Sequence, residues 1–350
     1  LAIVDGNPAF SYWDIAEGTL KYIRSSSSVG TSASDWSKAV TLASSGLAYN
    51  SSLAVVEGLP AIAYKDNRNS DLHYIRSNSK HGASVNEWGK PITIASQGQA
   101  GYEATLMVVA GHPAISYVDN GTLCYVRSTT STGASHKDWL NVIRLGEGRD
   151  SGSCDSSLAI VAGKPALSHL TGDYPEFTLQ YTYSSTASGG EAEDWTTVDL
   201  DSGSYYETYL ADVGGSPAIV LREAFSSFGH KYNNRILYFH AATSEVHLPG
   251  WKSVTVVGSE AIPLGLMSRN DAPLILCVRD YRPFGIFSRP RSELAFLQAT
   301  DATGTAWDAA QTLHNNGGSY TVSELLIDNR LSLAFAEQSK GVNVHFISEL

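Results

Sequence analysis

Short bursts of alternating apolar and polar residues run along the whole chain, separated by clusters of Gly, Ser, Asn and Asp. A period of two marks half-buried strands, and the clusters mark turns. No stretch carries a helical period of useful length. The bursts themselves recur. The phrase Leu-x-x-Val-x-Gly-x-Pro-Ala-Ile-x-Tyr returns with its proline at Pro8, Pro60, Pro113, Pro165, Pro217 and Pro273, in steps of 52, 53, 52, 52 and 56 residues. A seventh, degraded copy covers 325–337, with Leu331 in the proline position. A second phrase follows each first one: LKYIRS, LHYIRS, LCYVRS, LQYTYS, LYFHAA, LAFLQA and VHFISE. A third begins at Trp36, Trp88, Trp139, Trp195, Trp251 and Trp307.

One unit therefore holds four short strands, A to D. In the second copy these are 53–58, 60–66, 72–77 and 88–96. A four-stranded unit returning every fifty-odd residues is a β-propeller blade, whereas a β-helix needs much shorter coils. The repeat predicts an all-β fold, a seven-bladed β-propeller of four-stranded antiparallel blades in a single domain over 1–350. Its blades begin near residues 1, 53, 106, 158, 210, 266 and 325. Strand D occurs six times and the others seven. One blade is thus short of a strand, or a segment ahead of Leu1 supplies it.

Antiparallel neighbours place the B–C and D–A loops on one face and the A–B and C–D loops on the other. The C–D loops, such as SNSKHGASVNEW, read as solvated filler, while the B–C and D–A loops carry aromatics and charge. Within one chain, a residue present in every blade is most simply structural, and one that breaks the pattern needs another reason. Strand B ends Tyr12-Trp13-Asp14, Tyr64-Lys65-Asp66 and Tyr117-Val118-Asp119 in blades 1 to 3. It then changes to His169-Leu170-Thr171, Leu221-Arg222-Glu223 and Val278-Arg279-Asp280, and the B–C loops lengthen. Blades 1 to 3 read as scaffold and blades 4 to 6 as a site. Arg24, Arg76 and Arg127 recur at one position of strand C and read as scaffold, pairing with Asp or backbone of neighbouring blades. His73, His112, His136 and His314 take no role.

Charge sharpens this. The formal net charge is −11, which argues against a nucleic-acid or anionic-membrane binder. No long apolar run marks a membrane span. The chain opens on LAIVDG, the start of a processed secreted protein or of a trimmed one. Yet seven of its 14 Arg lie within 222–291. A guanidinium fork pairs with carboxylate or sulfate through two hydrogen bonds, so the local cluster suits an anionic ligand. The D–A loops repeat a tyrosine at Tyr49, Tyr102, Tyr206 and Tyr320. Tyr206 and Arg222 bracket strands A and B of blade 5 and should surface together, with His169 one blade away. Tyr205, Tyr209, His230, Arg235, Arg279, Tyr281, Arg282 and Arg289 are the candidate substrate contacts. Three Cys are too few for a disulfide scaffold, no metal-ligand spacing occurs, and no cofactor is implied.

Such a trio suits β-elimination at a uronic acid. The C5 proton leaves, the carboxylate charge is masked by Arg, and the leaving oxygen gains a proton. A tyrosine with an ordinary pKa of about 10 needs a neighbouring cation to act as base, and Arg222 could supply that field. The Gly-x-Pro-Ala-Ile-Ser-Tyr repeats, the seven blades and the Tyr206/His169/Arg222 trio resemble the seven-bladed ulvan lyases, which use His, Tyr and Arg on a propeller face. The resemblance implies a secreted, monomeric polysaccharide lyase on an anionic, uronate-containing, ulvan-like polymer. His169 and Tyr206 would share the acid and base roles, with Arg222 as neutraliser. That family commonly has a second His in the preceding D–A loop; here the loop 146–157 holds Arg149, Asp150 and Ser153 and no His. The other class in play is a sugar-binding propeller without catalysis. A lectin should repeat its binding residues blade after blade, whereas the distinctive residues here gather in three blades.

Overall fold

The computed structural model describes the chain apart from residues 15, 37, 45–50, 97–98, 148–155, 227–231, 242–249, 258–260, 282–290, 316–319, 328, 339–341 and 349–350; at a few strand ends, Tyr281 among them, it describes the backbone alone. The chain is an all-β, seven-bladed β-propeller. Six sheets have four strands in the order A-B-C-D, and the seventh, Tyr320–Ile327, Arg330–Gln338 and Val342–Ser348, has three. The missing D strand of the repeat count is thus a three-stranded seventh sheet among the described residues.

In blades 1 to 6 each A–B hairpin turns on two residues of positive φ, as at Asp5-Gly6, Glu57-Gly58, Ala110-Gly111 and Ala162-Gly163. That is the backbone of a type I′ turn, whose twist matches the flanking strands. The strand-C arginines close this turn from the side. Arg24, Arg76 and Arg127 donate Nε–H to the carbonyls of Val4, Val56 and Val109. Those carbonyls belong to strand A of the same blade, so these cations brace their own hairpin rather than a neighbouring blade.

The chain forms two compact units, one of residues 1–152, 183–196 and 346–350, the other of 153–182 and 197–345. Within each, the blades are stapled by the second and third repeat phrases. The strand-C tyrosine packs on the tryptophan of the next blade. In the first unit the pairs are Tyr22–Trp88, Tyr74–Trp139 and Tyr125–Trp195, with centroids 5.1, 5.0 and 4.9 Å apart. In the second they are Tyr181–Trp251 and Tyr238–Trp307, at 5.2 and 5.4 Å. Tilted and edge contacts of this kind contribute roughly 0.5–1.5 kcal/mol each beyond area burial.

The C–D loops are not filler. In blades 1 to 4 a one-turn 3-10 helix precedes the tryptophan, and a carboxylate, Asp35, Glu87, Asp138 or Asp194, folds back on the loop. It accepts from a backbone N–H and from the hydroxyl of Ser27, Ser79, Thr130 or Thr186. The indole Nε1–H donates to the carbonyl of Gly30, Gly82, Gly133 or Gly189. Four loops of different sequence make one hydrogen-bonded frame that holds the tryptophan ring for its tyrosine.

Strand A begins earlier than the sequence repeat suggests in blades 3, 5, 6 and 7, at Ala100, Tyr205, Ala261 and Tyr320. In blades 3, 5 and 6 the register slips by a residue near that end. A bulge breaks the period of two, which is why the alternation starts late in the sequence.

Candidate functional site on blade 5

Strand A of blade 5, Tyr205–Val213, pairs with strand B, Ser216–Ser226. Tyr206 lies opposite Arg222 and Thr208 opposite Leu221, so Glu207 is the extra residue of a bulge. Its φ is +34°, a left-handed backbone that a non-glycine residue adopts at a cost. The bulge gives Tyr206 and Glu207 consecutive places beside the same guanidinium. Arg222 donates Nε–H to Glu207 Oε2 at 2.5 Å and Nη2–H to Oε1 at 2.8 Å. Its Cζ stands 4.6 Å from the centre of the Tyr206 ring. Phe177, buried at the start of strand C in blade 4, meets that ring edge-on at 5.9 Å. Among the described residues, Arg222 Nη1 has only a long 3.4 Å approach to Asn234 Oδ1. The Arg222 and Glu207 side chains are 19% and 18% exposed, so the pair is sheltered yet open to a ligand. Tyr206 Oη makes no hydrogen bond to a described residue.

The other predicted residues fall into separate groups. Glu223 lies opposite Tyr205 on one side and Arg235 on the other. Because side chains alternate along strand B, this row faces away from the Arg222 row. Tyr205 is buried and donates its hydroxyl to Asp201 Oδ2 at 3.0 Å; burial and that bond push its phenol well above the usual value. Arg235 is locked to Glu223. Tyr209 packs against the apolar cluster of Val213, Val220 and Tyr238. These three residues, expected to touch substrate, instead make contacts within the blade: a hydroxyl–carboxylate hydrogen bond, an ion pair and apolar packing. Arg279 pairs with Glu293, Nη1 to Oε1 at 3.4 Å. His230, Arg282 and Arg289, like Arg149, Asp150 and Ser153, lie outside the described residues, and so does the side chain of Tyr281. Arg269, part of the sequence cluster, donates to Gln298 at the A–B end of blade 6, far along the strand from the candidate face.

The structure separates His169 from Tyr206 and Arg222. Ser168 Oγ accepts from Thr208 Oγ1 on blade 5 at 2.8 Å, so its neighbour His169 faces the opposite side of strand B. There it is 1% exposed, with Nε2 2.9 Å from Thr182 Oγ1, which in turn is 2.8 Å from Thr197 Oγ1. Burial holds its pKa down at about 4. A shared acid–base role with Tyr206 would need a solvent-facing imidazole on the blade 5 side.

Glu207 is the residue the sequence reading passed over. The signal was present: of the D–A loop tyrosines, Tyr102 and Tyr206 are each followed by Glu. In blade 3 the pair Tyr102-Glu103 makes the same bulge, with Glu103 at φ +54°. There the cation is Lys65 of blade 2, its Nζ 3.0 Å from the Tyr102 ring centre. Lys65 is 3% and Glu103 5% exposed, so the blade 3 copy is sealed and the blade 5 copy open. Three arginines of blades 5 and 6 have a glutamate, Arg222 with Glu207, Arg235 with Glu223 and Arg279 with Glu293. The positive charge of these three is therefore offset. Among the described residues, no three His, Cys, Asp or Glu side chains converge as a metal site requires.

The fold has known company. Over 98% of this chain and 89% of the other, it is similar to a PL25 ulvan lyase, at 10% identity and a TM-score of 0.57. A structure of a PL25 ulvan lyase bound to the GlcA(1-4)Rha3S repeat matches over the same shares, at 10% identity and a TM-score of 0.56. At that identity the likeness is one of fold. No protein-family model and no curated protein matches the sequence.

Proposed function

We propose that the protein is an extracellular polysaccharide lyase that cleaves a uronate-containing polymer by β-elimination at the Tyr206–Arg222 face of blade 5. The observation that carries this reading is Tyr206 set under the Arg222 guanidinium with its hydroxyl bonded to no described residue. Arg222 Nη1 receives the uronate carboxylate and draws charge from C5. Tyr206, acting as its phenolate, takes the C5 proton; the C5–H electron pair becomes the C4=C5 double bond. The C4–O bond breaks, and the leaving oxygen takes the proton back from Tyr206. The products are a new sugar end and an unsaturated uronate. The fold shared with an ulvan lyase supports the same substrate class. A positioned acid or base contributes about 10²–10⁴-fold. Incubation with uronate polysaccharides should therefore yield a growing ultraviolet absorbance of the unsaturated product. Tyr206→Phe should lower its rate by at least about 10²-fold, and Arg222→Ala should abolish it.

A second reading, a sugar-binding propeller without catalysis, is favoured by two observations. His169 is buried, and the Arg222 fork is already filled by Glu207. Binding of acidic glycans with no unsaturated product on any of them would establish it.

A further inference from the structure

Glu207 is held in the site at a cost to the backbone. Its backbone is left-handed, its strand pairing is interrupted, and a carboxylate of the same sign as the proposed substrate sits in the site. A surface ion pair does not account for this. The bidentate pair is four-fifths sheltered, and in blade 3 the cation over the equivalent tyrosine is a buried lysine beside a buried Glu103. In blade 5 the pair is left open, next to a phenol that bonds to no described residue.

We propose that Glu207 is the specificity-determining counter-charge of this site. It holds the guanidinium across the Tyr206 ring through Nε and Nη2 and leaves Nη1 to a ligand. It also offsets the charge of Arg222, so a sugar carboxylate binds by sharing the cation rather than by neutralising it. A bare arginine would grip both substrate and product. A balanced one binds the carboxylate weakly, so the substrate is held loosely and the product leaves readily; uniformly tight binding lowers KM without raising kcat. This inference rests on the lyase reading for its catalytic half, while its binding half stands on the ion pair alone.

The test measures binding and turnover separately. Titration calorimetry with glucuronate oligosaccharides and with their carboxyl-reduced, neutral counterparts compares wild type, Glu207→Gln and Glu207→Asp. Glu207→Gln, which keeps a hydrogen-bonding group of the same size, should tighten binding of the anionic oligosaccharide about tenfold, equal to about 1.4 kcal/mol. Binding of the neutral one should stay unchanged. Glu207→Asp retains the charge and should keep the wild-type preference; it also serves as the reference if the Gln variant melts early. In turnover, Glu207→Gln should lower KM and kcat together, a split that mere loosening of the strand would not produce. Unchanged or weakened anionic binding in Glu207→Gln overturns the proposal, as does tightening of the neutral ligand by the same factor. The two readings fail separately. A tenfold anionic gain without unsaturated product sinks the lyase and keeps the counter-charge. Product formation with no change in binding does the reverse.

Discussion

At the scale of single residues, the chemistry turns on which polar groups are covered. His169 and Tyr206 stand at neighbouring loop ends in the sequence, yet one is sealed and the other open. Burial penalises the imidazolium, so the folded chain refuses a proton that the unfolded chain accepts between pH 6.5 and about 4. The unfolded state then binds more protons, and stability rises with pH through that window and is lost on acidification. The gap corresponds to ~3 kcal/mol. Melting curves of wild type and His169→Gln between pH 7 and 4 should converge as the pH falls, because the variant lacks this proton. Parallel curves would place His169 in solvent. Arg222→Lys is not a conservative change here. An ammonium cannot hold both Glu207 oxygens and still present a third donor to a ligand in one plane. It should cost at least tenfold in anionic binding while leaving the melting temperature within a few degrees.

At the scale of elements, the recurring device is the hydrogen-bonded C–D loop that aims a tryptophan at its tyrosine. Gly82 is at φ +59°, and a Cβ there would lie 2.8 Å from Trp88 Cζ2. Gly82→Ala should therefore destabilise by both backbone strain and displacement of the indole, on the order of 1–3 kcal/mol. Asp138→Ala removes the carboxylate that closes the blade 3 loop and should cost ~1 kcal/mol, the usual worth of a cap. Both effects should appear as lower melting temperatures, because each loop holds the tryptophan that packs on a strand-C tyrosine. The strands were legible as elements from the period of two and the spacing of proline and tryptophan. The bulges were not. A bulge is the place where the period fails, so the residues that it re-aims, Glu103 and Glu207, drop out of a reading based on period.

At the scale of the whole molecule, seven repeats offer seven equivalent strand ends, and the question is how many carry a site. The sealed copy at Tyr102-Glu103 and the open copy at Tyr206-Glu207 predict one. Titration of the protein with an acidic oligosaccharide should give one ligand per chain, lost in Arg222→Ala. Several equivalent ligands per chain would point to a lectin instead.

The sequence by itself determined the all-β class and the seven blades and placed Tyr206 and Arg222 at one strand end; it left open whether a blade is short of a strand. These readings follow from local period or from residues equidistant from one hairpin turn, and none depends on distant contacts. Only the tertiary structure decided which of the gathered residues face a common space. Alternation along strand B turns Tyr205, Glu223 and Arg235 away from Arg222, and the side of the sheet on which His169 falls buries it. Only the structure, too, matched Arg222, Arg235 and Arg279 with Glu207, Glu223 and Glu293. Charges far apart in sequence meet across strands, where composition can count them but cannot pair them.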